Sequence, residues 1–125
     1  MRICEYGDAA DMDEITTLQA EVLKTLANPR RLAILHRLAQ GPCEVGRLAE
    51  DLDLTQPNVS QHLAVLRSAG IVEADRDGRE VRYRLTDADV MVACSLMRTV
   101  LQRRLTRLGR LSHLDQATTD LIEIQ

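Results

Sequence analysis

Thr55-Gln56-Pro57-Asn58-Val59-Ser60-Gln61-His62-Leu63, continued by Ala64-Val65-Leu66-Arg67-Ser68 and stopped by Ala69-Gly70, is the stretch that decides how this chain folds. Thr55 is a good N-cap, and Gln56 and Pro57 suit a first helical turn, where the missing proline N–H costs nothing. Val59, Leu63 and Leu66 then recur at helical spacing and form one apolar stripe. Asn58, Ser60, Gln61, His62 and Arg67 are left polar, so the stretch predicts an amphipathic helix from 56 to about 68 with amides and hydroxyls outside.

Working outward, Val45, Leu48, Ala49 and Leu52 give a shorter helix just before it, separated only by Asp53-Leu54. A short helix, a tight turn and an amphipathic helix is the helix-turn-helix arrangement. Further upstream, Ile15, Leu18, Val22, Leu23 and Leu26 predict a helix over 13–27, ended by Asn28-Pro29. Pro29 opens a second helix that carries Leu32, Ile34, Leu35 and Leu38 to the breaker Gln40-Gly41-Pro42.

Downstream of Gly70 the period changes to that of strands. Ile71-Val72-Glu73-Ala74-Asp75 and Glu80-Val81-Arg82-Tyr83-Arg84-Leu85 flank Arg76-Asp77-Gly78-Arg79, whose Asp-Gly is a hairpin signal. Thr86 and Asp87 cap a long helix over about 88–110, with the stripe Val90, Cys94, Met97, Leu101, Leu105 and Leu108. A helix this long on a small domain carries more apolar surface than its own core covers, so a partner helix is expected. The expected fold is mainly α with a β-hairpin wing, in the order α-α-α-α-β-β-α, dimerising through the terminal helices. Its expected divisions are an acidic segment 1–12, a winged helix-turn-helix domain 13–110 and a tail 111–125.

Composition agrees with this. At 125 residues the chain has the size of one domain, and with no Phe or Trp and only two Tyr it suits helix packing. The net charge of −3 is unevenly spread: residues 1–21 hold six acids and one base, and the remainder holds 15 bases and 13 acids. Global charge therefore neither supports nor excludes a nucleic-acid partner. No apolar run reaches the length that spans a bilayer and no secretory leader is visible, so the expected location is the cytoplasm and no membrane partner is expected. Three widely spaced cysteines do not read as a disulfide framework.

Four blocks, Leu26-Ala27-Asn28-Pro29-Arg30-Arg31-Leu32, residues 55–63, Leu66-Arg67-Ser68-Ala69-Gly70-Ile71-Val72 and Gly78-Arg79-Glu80-Val81-Arg82-Tyr83-Arg84-Leu85, resemble the ArsR/SmtB family of bacterial repressors. The resemblance covers roughly residues 20–110, with the blocks in the family's order and spacing. It implies a dimeric winged helix-turn-helix transcriptional repressor, not an enzyme, that occupies double-stranded operator DNA and leaves it when an inducer binds. It also implies that the helix after Thr55 enters the major groove, presenting Gln56, Asn58, Ser60, Gln61 and His62. Asn and Gln can bind adenine edges in a bidentate manner, while Ser and His reach bases or phosphates. The plain alternative for any one of them is a solvated helix face. Arg79, with Arg76 nearby, sits at the wing tip. Arg82 and Arg84 either contact DNA, solvate their strand or pair with Glu73 or Asp75, and Arg67 is structural or touches phosphate. The basic run Arg98, Arg103, Arg104, Arg107 and Arg110 reads as a solvated face of the long helix.

For the inducer, the candidates are arsenite, another soft metal ion or an oxidant acting on Cys4, Cys43 and Cys94. The family's zinc sensors use an Asp-x-His and a His-x-x-Glu on the long helix. Here those places hold Asp87, Asp89, Val100 and Arg103, and an arginine is adverse at a cation site, so that zinc site is expected to be absent. The family's cysteine box is also broken, with Cys43 alone beside a helix N-terminus that would favour its thiolate. Cys94 lies on the apolar stripe, where a small hydrophobe is the common explanation. His36 reads as packed rather than ligating, and His113 is uninformative. Two other readings stay open: a repressor with no inducer of its own, and a winged helix used only for protein contacts. No phosphate loop, nucleophile elbow or paired metal-binding histidines suggest catalysis.

Overall fold

The computed structural model describes residues 13–109. The acidic segment 1–12, with Cys4, and the tail from 110 onward, with Arg110 and His113, lie outside the described residues. The elements are α1 (Glu14–Leu26), α2 (Pro29–Leu38), β1 (Cys43–Glu44), α3 (Val45–Leu52), α4 (Gln56–Ser68), β2 (Val72–Asp77), β3 (Glu80–Leu85) and α5 (Asp89–Arg107). They fall into two compact units that divide between Ala88 and Asp89, inside the 13–110 stretch.

Side-chain caps set the helix starts. Asp13 accepts from the backbone N–H of Thr16 at 2.8 Å, and Asn28 accepts from those of Arg30 and Arg31 at 2.9 and 3.1 Å. Thr55 does the same for α4, accepting from the N–H of Asn58 at 3.2 Å. Between α3 and α4 the chain turns on Asp53, whose φ of 55° is left-handed, a conformation that short Asp side chains tolerate. That residue lets the chain turn so that α4 begins after only three connecting residues.

The core of the first unit is built on that corner. Ile34 and Leu35 of α2, Leu48 of α3, and Val59, Leu63 and Leu66 of α4 are all fully buried, with Val72 of β2 closing the set. Arg37 of α2 bridges to Asp51 of α3 at 2.8 Å, and Arg47 reaches the same carboxylate at 3.2 Å. These exposed pairs orient α3 but add little stability.

The sheet has three strands, not two, in the order β1-β3-β2 and antiparallel throughout. Cys43 pairs with Tyr83 and Glu44 with Arg82, while β2 and β3 pair without a break from Val72 opposite Leu85 to Asp77 opposite Glu80. Two residues carry no periodicity, which is why β1 was not expected from sequence. Gly78, with φ 63°, takes the first position of the two-residue turn, where only glycine is at ease. Because strand side chains alternate, one face carries Cys43, Val72, Ala74, Arg76, Val81, Tyr83 and Leu85. The other carries Glu44, Glu73, Asp75, Asp77, Glu80, Arg82 and Arg84.

In the second unit, α5 extends for 19 residues. None of the described helices is long and apolar enough to cross a membrane. Replacing the fully buried Leu63 by alanine should destabilise the fold by about 3 kcal/mol, through lost transfer energy plus a cavity between α2, α3 and α4. Urea denaturation measures it, and a loss below about 1 kcal/mol would mean that α4 is not held by this row.

Candidate nucleic-acid interface

Since one row of α4 is used up in the core, its opposite face is free to be polar. Gln61 is exposed on that face, and Gln56, Ser60 and Arg67 are exposed on the flank of the buried row. Gln56 lies close over α3, with its side-chain nitrogen 3.4 Å from where a β-carbon on Gly46 would stand. Thr55 is exposed, but its hydroxyl is engaged as the cap of α4. Asn58 is half-buried, and its side-chain oxygen is shielded with no hydrogen-bond partner among the described residues. An amide left unpaired in this way costs stability unless something else satisfies it.

His62 is also half-buried, and its Nδ1 lies 3.4 Å from the guanidinium of Arg31. A guanidinium can only donate, so Nδ1 accepts and the neutral ring carries its proton on Nε2. Burial, and then the nearby charges of Arg31 and Arg30, hold the imidazole pKa below its ordinary value. Arg31 is itself anchored, its Nε donating to the carbonyl of Thr25 at 2.6 Å. The pair Arg30-Arg31 was not singled out from sequence. Its signal was there: two cations in the first turn of a helix oppose the helix dipole, an arrangement that needs a compensating contact.

The wing separates its arginines by face. Arg84 pairs with Asp75 at 2.7 Å and also with Glu73, while Arg82 sits 3.6 Å from Glu80. Both lie on the face that carries five carboxylates, so the positive charge expected of Arg82 is locally neutralised. Arg76 is on the opposite face and Arg79 is in the turn. Neither makes an ion pair among the described residues.

The two described cysteines differ in burial. Cys43 is buried in β1 and only 4% exposed, so the helix start beside it does not make it an open thiol. Cys94 is half-buried on α5. Among the described residues no three His, Cys, Asp or Glu side chains stand together as a metal site. Along α5, Val90, Cys94 and Leu105 are half-buried while Met97, Leu101 and Leu108 are exposed. A second exposed row, Val92, Leu96 and Val100, was missed, although its four-residue spacing is plain in the sequence. Helix α1 likewise exposes Ile15, Leu18 and Leu23, and a groove of about 520 Å³ runs between its Leu18 and Val22 and Ala64 and Val65 of α4.

His62 should titrate below the ordinary 6.5 in NMR, and Arg31→Gln should raise its pKa by removing one neighbouring cation. Because the folded pKa is the depressed one, the unfolded chain takes up this proton first. Stability from this residue is present above about pH 6.5 and is lost as pH falls through the lowered folded value. His62→Gln should flatten that part of the urea-midpoint profile. An imidazole titrating at or above its ordinary value contradicts the contact.

Comparison with known proteins is consistent with this geometry. The model of the family "Bacterial regulatory protein, arsR family" matches residues 28–74, from the cap of α2 through α4 into β2. A biofilm growth-associated repressor of Agrobacterium fabrum is 47% identical over 76 residues, covering 61% of this chain and 65% of that protein. One from Xylella fastidiosa is 38% identical over 90 residues, covering 72% of this chain and 79% of that one. Among solved structures, the homodimeric winged helix-turn-helix DNA-binding domain Mb0332 of Mycobacterium bovis superposes with a TM-score of 0.70 at 35% identity. That match covers 81% of this chain and 94% of the other. With the three-stranded wing, the buried row of α4 and these matches in hand, the chain belongs to the ArsR family of bacterial regulatory proteins and has its winged helix-turn-helix fold.

Proposed function

We propose that this protein is a sequence-specific DNA-binding transcriptional repressor that works as a homodimer and leaves its operator when an inducer acts. The observation that carries the reading is the division of α4, whose Val59, Leu63 and Leu66 are fully buried while Gln56, Ser60 and Gln61 stand exposed around the rest of the helix. A helix held so firmly and bearing amides outside can enter a major groove and pair with base edges. Thr55 and Asn58 shape its N-terminal turn, His62 offers its Nε2–H beside Arg31, and Arg79 with Arg76 brings charge from the wing. Arg82, tied to Glu80, contributes least. The relatives named as repressors and the homodimeric DNA-binding domain support the same assignment.

Dimerisation is assigned to α5, through Val90, Cys94, Met97, Leu101, Leu105 and Leu108, and to the exposed residues of α1 as a second contribution. A leucine 49% exposed at position 101 and a second row reaching 65% at Leu96 are more apolar surface than a lone helix leaves in water. The inducer is assigned to thiol chemistry, with arsenite, another soft metal ion or an oxidant acting at Cys94, on the surface where two copies would meet. A repressor without its own inducer is the second reading, favoured by the burial of Cys43 and the absence of a thiol cluster among the described residues.

Fluorescence anisotropy on DNA from the region upstream of its own gene tests the assignment. Reduced protein should bind tightly and lose affinity steeply with salt, and Gln61→Ala should cost about 1–3 kcal/mol of discrimination at one base pair. Leu101→Glu should give a monomer in sedimentation and weaken binding. Arsenite or a thiol oxidant should release the wild type but not Cys94→Ser. Release of both, or of neither, removes Cys94 from the mechanism, and absent salt-dependent binding overturns the DNA reading itself.

A further inference from the structure

Between α4 and the wing lies an open notch of about 450 Å³, lined by Ser60, Ala64, Arg67, Ser68 and Tyr83. No carboxylate lines it. Ser60, Arg67 and Ser68 recur along one side of α4, and Tyr83 comes from the middle strand of the sheet, on the face that it shares with Arg76. None of the four polar side chains has a hydrogen-bond or ion-pair partner among the described residues. Arg67 is the contrast to Arg82 and Arg84, whose charges acids already answer.

Three hydroxyls and one guanidinium, all unspent around one opening, make a donor-rich and singly positive cradle. Such a set suits a tetrahedral anion whose oxygens accept from several directions, and guanidinium pairs with phosphate in a bidentate manner. It suits a base edge poorly, because bases ask for donors and acceptors in a fixed pattern. We infer that this notch seats one phosphodiester group of the duplex backbone, with Arg67 and the Tyr83 hydroxyl as its principal donors and Ser60 and Ser68 completing the set. Tyr83 thereby joins the interface as a residue that fixes register and carries no sequence information. The inference rests on the DNA-binding reading above and adds to it a seat for the backbone where the wing meets α4.

The test measures affinity against salt for the full chain on the upstream duplex and on a scrambled duplex of equal length, with Arg67→Gln, Arg67→Lys and Tyr83→Phe. A backbone seat predicts that Arg67→Gln lowers the slope of log affinity against log salt by about 1 on both duplexes, and that Arg67→Lys retains the slope. Tyr83→Phe should weaken both duplexes by the same factor, roughly tenfold. Unchanged melting temperatures establish that these surface variants still fold. A loss confined to the upstream duplex would make the notch a reader of bases and overturn the inference, as would an unchanged slope in Arg67→Gln. Inorganic phosphate added at constant ionic strength should leave wild-type affinity unaltered. Release of DNA by phosphate that Arg67→Gln abolishes would reassign the notch to a free anion. Wild-type protein that binds neither duplex fails the underlying reading instead, a result separable from the others because it precedes any substitution.

Discussion

Val59, Leu63 and Leu66 step by four and three along α4, and each is fully buried against α2, α3 and the start of β2. Every other feature of the first unit follows from how that row is held. It fixes the rotation of α4 about its own axis, so the residues half a turn away must face solvent whatever their chemistry. The left-handed Asp53 sets the exit from α3, and Thr55 holds the first turn by capping it. A helix so constrained loses little entropy on meeting a partner, which is the advantage of placing recognition residues on a rigid element.

Electrostatics then divide the surface that packing has created. The sheet's alternation sends five acids to one face, where Arg82 and Arg84 are neutralised, and leaves Arg76 on the other with Tyr83. Arg67 and Arg79 likewise have no acid to answer them among the described residues. Unpaired cations therefore stand on α4 and around the wing turn, as others do along α5, although the chain as a whole is acidic. Net charge is a poor guide here because the sign of a surface patch, not of the molecule, decides what approaches it.

Much of this was legible in the sequence, for reasons that can be stated. Long elements with a clear period, such as α4 and α5, and short-range signals, such as Thr55, Asn28-Pro29 and Asp77-Gly78, report on local physics and were read correctly. What escaped depended on distant partners. Strand β1 is two residues whose only warrant is the edge of β3, and with it Cys43 moved from a helix flank into the sheet. His62 was read as a solvent-facing contact because nothing local reveals Arg31, 31 residues away in sequence. The split between Arg82 and Arg84 on one face and Arg76 on the other was in principle readable, since it needs only the alternation of a strand and the register that Gly78 sets.

The central claim is that α4 and the wing together form one DNA-contacting surface. A titration of labelled protein with the upstream duplex, followed through backbone amide NMR shifts, tests it most directly. The account predicts the largest perturbations over residues 56–62 and in the β2–β3 hairpin from Arg76 to Tyr83. Perturbations confined to α1 and α5, with α4 unmoved, would contradict it.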